Sequence, residues 1–294
     1  MSFRDALKTR DFVVTAHVNM SRVPDVDALV KQGNILRPAV DAVQITDNPG
    51  AEVHMSGLAA SALLLAEGID PILHMTCRDR NRIALQSDLV GAAALGVTSV
   101  LVMRGDRAPD HLKPRVRGVF DTRPQELMTF ARQLKDARDV PLVDDFLVGA
   151  TATIFDPDAT FTPVNLTRKS DAGANFIQTQ LCFDMDVVRN YMRRMVAAQL
   201  THRLSFVMAL SPLPSPDAAH WVRDNVRGAL VPPSIIERME RAADPEREGV
   251  EICSEMLGEL ATIPGVSGVS LLSLGSLESI PAAVEASGVR AAVQ

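Results

Sequence analysis

The stretch SVLVMRGDRAP, residues 99–109, begins as a short run of apolar, β-favouring residues and breaks at Arg104, Gly105 and Asp106. A run of that length bounded by Gly and Pro reads as a fully covered parallel strand, and the loop beyond such a strand's carboxyl end is where α/β folds place their ligands. Alone, it fits a surface turn with an ion pair equally well. Working outward, seven further runs share its character: FVVTAHV (12–18), DAVQIT (41–46), PILHMT (71–76), FLVGAT (146–151), NFIQTQ (175–180), SFVMAL (205–210) and GVSLLSL (268–274). Helical patterns fill the spacers, with polar starts and glycine or polar stops at 56–68, 80–96 and 186–199. Eight apolar strands, each followed by a helix-length segment, predict a single (β/α)8 TIM barrel spanning residues 1–294. A doubly wound open sheet is the alternative, weakened because no G-x-G-x-x-G follows any of the strands. The proline-rich stretch 211–234 reads as a long excursion after the seventh strand, ahead of a helix near 234–242.

Composition narrows the function. The 294 residues are 47% apolar, enough to bury a large core, and carry a net charge of −6. Aromatic residues make up only 4%, with one Trp and one Tyr, so neither a base-stacking surface nor a phosphate-backbone partner is expected. Three widely spaced cysteines, Cys77, Cys182 and Cys253, suggest neither a disulfide framework nor a closed zinc site, which fits a reducing cytoplasm. The N-terminal MSFRDALKTRDF lacks a signal-peptide apolar core and no window approaches 18 apolar residues, so no membrane partner is expected.

In a barrel, the residues at the carboxyl ends of the strands line the site. Here they are His17 and Asn19, Thr46 and Asp47, His74 and Thr76, Arg104 and Asp106, Thr151, Gln180, Ser211 and Ser273. There is no H-E-x-x-H and no nucleophile with a sequence-adjacent base. His17 and His74 could meet Asp47 or Asp106 around a metal ion, but scattered His and Asp are common in large domains, and no metal is expected. The chemistry is expected to come from a cofactor.

Four segments carry a resemblance: TDNPGA (46–51), HMTCRDRNRIALQSDLVGAAALGV (74–97), VLVMRGD (100–106) and NLTRKSDAGANFIQTQLCFD (165–184). In order and spacing they resemble the methylenetetrahydrofolate reductase family, over residues from about 3 to 275. The resemblance implies an FAD-binding barrel in which reduced flavin passes a hydride from NADH or NADPH to the one-carbon unit of 5,10-methylenetetrahydrofolate, with a reduced folate as substrate. It places Asp106 beside the flavin ring and the folate pterin, as a catalytic and substrate-binding residue, and Arg104 in the flavin site. A carboxylate at the pyrimidine edge of a flavin disfavours the anionic reduced form and strengthens it as a hydride donor. By the same resemblance Thr46, His74 and Thr76 contact the flavin and its ribityl-phosphate region. Asn165, Arg168 and Lys169 hold the FAD phosphates and adenosine, and Gln180 touches the substrate.

The sequence departs from the family at two places. The family's first strand ends in a Glu that protonates the folate ring nitrogen, often followed by a Pro-Pro pair; here His17 stands at that position in VVTAHVNMS and the proline pair is missing. Histidine, with a reference pKa of about 6.5, can serve as a general acid, so His17 is the expected catalytic acid, kept protonated by Asp106 nearby. The Tyr-Pro segment after strand five is replaced by VGATATIFDP (148–157). Those departures leave open a folate-binding or accessory subunit of one-carbon metabolism that has lost flavin or hydride transfer. A homo-oligomer and a partner subunit are both compatible with the chain.

Overall fold

The computed structural model describes residues 1–110, 112–134 and 145–290. Eight parallel strands close into a barrel in sequence order: β1 (Val13–His17), β2 (Ala42–Ile45), β3 (Pro71–Thr76), β4 (Ser99–Met103), β5 (Leu147–Ala152), β6 (Phe176–Leu181), β7 (Ser205–Leu210) and β8 (Val266–Leu271). Pairing of β8 back onto β1, with Val13 opposite Gly268 and Ala16 opposite Leu271, completes the cylinder. The α-helices are α1 (Phe3–Thr9), α2 (Val26–Leu36), α3 (Gly57–Ala66), α4 (Arg82–Leu95), α5 (Pro124–Gln133), α6 (Val164–Asp171), α7 (Met185–Ala197), α8 (Pro216–Asn225), α9 (Pro233–Arg241), α10 (Pro245–Leu260) and α11 (Ser279–Ser287), with short 3-10 turns at Pro49–Ala51 and Leu200–His202. Side-chain oxygens of Asp25, Asn81, Asp184, Ser215 and Asp244 accept from backbone N–H groups in the first turns of α2, α4, α7, α8 and α10. Each stands where a polar residue precedes an apolar-periodic segment, the arrangement that satisfies otherwise orphaned donors.

The period-two alternation of strands sorts residues into two sets. Val14, Ala16, Val43, Ile45, Leu73, Met75, Val100, Val102, Ile177 and Phe206 join the buried core shared with the helices. Val13, Ala42, Ile72, Leu101, Phe176 and Val207 form a separate cluster with Phe3 and Ala6 of α1, which therefore plugs the amino-terminal end of the barrel. Phe3 meets Phe176 edge to face, centroids 5.3 Å apart. Phe176 fits because β5 has a glycine beside it: a Cβ on Gly149 would lie 2.2 Å from the Phe176 ring. The same end is tied by Asp41, which accepts from the backbone N–H of Val14 at 2.8 Å and pairs with Arg10 and Arg290 at 2.9 Å each. Asp70 accepts from the N–H of Phe3 at 2.7 Å, and burial pushes its carboxyl up to about 6.

Two expectations change. The eighth strand runs over Val266–Leu271 and stops before Ser273, whose hydroxyl donates to the carbonyls of Gly275 and Ser276 and closes a turn. The proline-rich excursion contains a full helix, α8, because Pro216 occupies its first turn, where no backbone donor is lost. Among the described residues no helix is long and apolar enough to cross a membrane.

Candidate active site at the barrel mouth

Above the apolar plug lies a layer of buried polar side chains from alternate positions of β1, β2, β3, β6 and β8. His74 Nε2 donates to Gln44 Oε1 at 2.6 Å, and Gln44 Nε2 donates to Gln178 Oε1 at 2.7 Å and Thr15 Oγ1 at 3.1 Å. Gln178 Nε2 in turn approaches His17 Nε2 at 3.3 Å, and Ser270 Oγ lies 3.2 Å from the same ring nitrogen. Assigned from this network, His74 carries its proton on Nε2, whereas His17 accepts at Nε2 and carries its proton on Nδ1. The two rings stand edge to face, centroids 5.4 Å apart.

Both imidazoles are neutral. Burial pushes His17 down to about 4, and burial together with the neighbouring His17 pushes His74 well below its usual range. The expectation that Asp106 keeps His17 protonated does not hold in this geometry. The hydrogen-bond partners of the His17 ring are Ser270 and Gln178, both uncharged, and Asp106 is exposed.

Closer to solvent, charged groups ring the mouth. Asp47, following β2, accepts from the backbone N–H and hydroxyl of Thr76 at 2.7 and 2.9 Å and also pairs with Arg80, which reaches Asp88 at 2.6 Å. Arg78, 2% exposed, pairs with Asp79 at 2.6 Å and donates to the carbonyl of Asn48 at 2.9 Å. The negative charge of Asp106 is one of those that raise the Arg78 guanidinium's pKa, after Asp79 and Asp47. The RGD segment turns on this cluster. Gly105 has φ of +83°, and a Cβ there would stand 2.9 Å from Arg78 Cβ and 3.0 Å from Thr76 Cβ. The turn two residues beyond β4 is a glycine because the chain there folds back tightly against the end of β3. Arg104 lies over the ring of Phe120, 4.4 Å from its centroid. Thr46 and Gln180 are half-buried at the ends of β2 and β6.

The α6 residues separate. Asn165 and Arg168 are exposed, whereas the Lys169 amine turns inward to donate to the carbonyl of Thr151 at the end of β5, where burial lowers its pKa. The remaining strand-end residues serve local structure: Asn19 exchanges hydrogen bonds with Gln32, and the buried Ser211 hydroxyl donates to the carbonyl of Pro212. No group of three or more His, Cys, Asp or Glu side chains is arranged to hold a metal among the described residues. Strand-end reading missed Thr15, Gln44, Gln178 and Ser270. The signal was present: Thr15, Gln44, His74 and Gln178 each lie two residues before His17, Thr46, Thr76 and Gln180, hence on the same face of the same strand.

The methylenetetrahydrofolate reductase family model matches residues 21–288. A curated protein from Caenorhabditis elegans, described as a probable methylenetetrahydrofolate reductase (NADPH), is 24% identical over 240 residues, covering 78% of this chain and 34% of its own. The chain thus spans about a third of that relative's length. Among solved structures, an uncharacterized protein from Clostridium thermocellum that binds two copies of 5-methyl-5,6,7,8-tetrahydrofolic acid aligns with a TM-score of 0.65 at 11% identity, over 97% of both chains. The EDTA monooxygenase EmoA from Chelativorans sp. BNC1 aligns with a TM-score of 0.59 at 11% identity, over 96% of this chain and 93% of its own. At such identities the two structures establish the shared fold alone. With the family model extending across all but the first and last strips of the sequence, the chain belongs to the methylenetetrahydrofolate reductase family.

Proposed function

We propose that the protein is a folate oxidoreductase that binds the pterin of a reduced folate at the barrel mouth and interconverts 5,10-methylenetetrahydrofolate and 5-methyltetrahydrofolate with FAD and a nicotinamide cofactor. The observation that carries this reading is the uncharged Thr15–Gln44–His74–Gln178–His17 layer beneath a mouth bearing Gln180 and Asp106. A pterin edge of amino, imino and keto groups is matched by amide and carboxylate partners such as Gln180 and Asp106. The rigid layer below supplies a floor without a competing charge.

The residues fit a bound FAD at part of the expected set. Asn165 in the first turn of α6 and Arg168 in its last are exposed and suit its diphosphate, the half-buried Thr46 and exposed Asp106 are open to the ring system, and Arg104, exposed, lies over Phe120. Lys169, Thr76 and His74 have polar atoms engaged by Thr151, Asp47 and Gln44, so they support the site from behind. When bound, the flavin would supply hydride transfer between nicotinamide and the folate one-carbon unit. Asp106 would orient the pterin, and the neutral His17 acts as a hydrogen-bonding and positioning residue. With a pKa of about 4, only about one His17 in a thousand carries a second proton at pH 7, so proton delivery to the folate falls to another donor.

A second reading, a folate-binding protein without flavin, is favoured by the inward Lys169 and the neutral His17. The visible spectrum of the purified protein separates the two. An FAD spectrum that bleaches on addition of NADH or NADPH and recovers on addition of methylenetetrahydrofolate supports the oxidoreductase. Calorimetric binding of 5-methyltetrahydrofolate without any uptake of added FAD supports the second reading.

A further inference from the structure

At the amino-terminal end of the barrel, opposite the mouth, the segments that lead into β2 and β3 form a pocket of about 220 Å³. Arg10, Arg37 and Asp70 bring charged groups to it, and Val40, Ala42 and Ile69 bring apolar ones. We propose that this pocket is a binding site for a small α-amino acid with an apolar side chain, its carboxylate on Arg10 and Arg37 and its ammonium on Asp70. None of these residues belongs to the mouth, so the site does not depend on what is bound there.

The charged groups of the pocket are left incompletely matched by the protein itself. Elsewhere arginines sit tightly on carboxylates: Arg78, Arg80 and Arg238 meet theirs at 2.5–2.6 Å. Here Arg10 meets Asp41 through Nε at 2.9 Å, but the same Asp41 oxygen also takes Arg290 at 2.9 Å, and its other oxygen accepts from the Val14 N–H. One carboxylate thus serves two arginines, and neither terminal nitrogen of Arg10 makes a hydrogen bond among the described residues. Arg37 donates to the carbonyl of Glu67 and has no carboxylate partner among them. Asp70 shows the opposite deficit. Its Oδ2 accepts from the N–H of Phe3 at 2.7 Å, while Oδ1 has no hydrogen bond and the carboxylate no ion pair among the described residues. Burial pushes this carboxyl up to about 6, and the Phe3 N–H offsets that only in part. Free guanidinium donors and a free carboxylate oxygen on one small cavity are complementary to the carboxylate and ammonium of an amino acid.

These groups are held in place by the backbone. The carbonyl of Asp70 accepts from the N–H of Val43 at 2.9 Å, the N–H of Asp41 donates to the carbonyl of Val14 at 2.7 Å, and that of Arg37 to the carbonyl of Gly33 at 2.9 Å. Size and lining select the side chain. Liquid water takes about 30 Å³ per molecule, so the pocket has room for about seven waters, or an organic molecule of about seven to ten non-hydrogen atoms. Val40, Ala42 and Ile69 give it an apolar wall, which favours an aliphatic side chain over a polar one. Because Asp70 also holds the first turn of α1, an occupant of the pocket stabilises the plug at this end of the barrel.

Calorimetric titration of the full chain at pH 8, where the Asp70 carboxyl is ionised, tests the site with three probes of one shape: L-valine, isovalerate, which lacks the ammonium, and isobutylamine, which lacks the carboxylate. L-valine is expected to bind with a Kd of about 1 mM or tighter, and each singly charged probe at least tenfold more weakly. Arg37→Gln should weaken L-valine at least tenfold with an unchanged Tm, since that side chain is exposed. Asp70→Asn keeps an acceptor for the Phe3 N–H and should weaken it as much; if this variant loses stability, Arg37→Gln decides alone. The control, Arg203→Gln, removes the same charge from an arginine paired with Asp171 and should change binding less than twofold. Loss of L-valine binding in the pocket variants with the control unaffected upholds the site. The proposal is overturned by no binding of L-valine to the wild-type chain at about 50 mM, by unchanged binding in Arg37→Gln, by equal loss in the control, or by either singly charged probe binding as tightly as L-valine.

Discussion

The neutrality of His17 has a measurable consequence for stability. Its pKa falls from a reference value of about 6.5 in the unfolded chain to about 4 in the native barrel. The unfolded state therefore binds more protons between those values, so the stabilising contribution is complete above pH 6.5 and is lost as pH falls toward 4. Proton linkage over that interval gives a loss of about 2 kcal/mol between pH 7.5 and pH 5, and about 3 kcal/mol over the whole window. Asp70 works in the opposite direction. Its carboxyl is raised to about 6, so it gains stability as pH falls through the same range, and His74, also depressed, adds to the His17 loss. The bare pH profile of the wild type thus mixes opposing contributions. Comparison with His17→Gln, which keeps a polar side chain near Gln178 and Ser270 but cannot charge, removes those shared groups. Urea unfolding followed by far-UV circular dichroism at both pH values should show the wild type losing about 2 kcal/mol more than the variant on acidification. A wild-type-to-variant difference that is the same at pH 7.5 and pH 5 would refute a buried neutral imidazole at this position. It would restore His17 as a candidate acid.

Other consequences follow from the same geometry. Arg168→Ala should weaken FAD retention by about 1.5 to 3 kcal/mol, more than tenfold, in a flavin-binding titration, whereas Lys169→Met should cost fold stability more than flavin affinity because its amine serves Thr151. Gly105→Ala should destabilise the chain by about 1 to 3 kcal/mol in thermal unfolding, since it combines a left-handed backbone with crowding against Arg78 and Thr76. Phe3→Ala should cost about 3 to 5 kcal/mol by emptying the plug under Phe176, read as a drop in the urea midpoint at unchanged m-value. Gln180→Ala should weaken binding of 5-methyltetrahydrofolate while leaving the urea midpoint near that of wild type, because the side chain is half-buried at the strand end.

The sequence alone determined the barrel. Each strand is an apolar run too short for a helix, and each is followed by a helix-length segment, so a parallel sheet covered on both faces is required. The count of eight, with no G-x-G-x-x-G after any strand, favours the closed barrel over an open doubly wound sheet. It also carried the motifs of the family, from TDNPGA through HMTCRDR and RGD to TRKSDAGAN, because those residues are neighbours along the chain. The Gly105 turn was legible for the same reason. What only the tertiary structure decided is which polar residues face one another and what charge they keep. Gln44 and Gln178 are separated by 134 positions yet meet at 2.7 Å inside the cylinder, a contact no local pattern encodes. His17 and Lys169 read as chargeable residues at strand and helix ends, and only closure of the barrel buries one against Gln178 and turns the other onto Thr151. Protonation depends on the solvent and partners that packing leaves around a group, and these are set by residues far away in sequence.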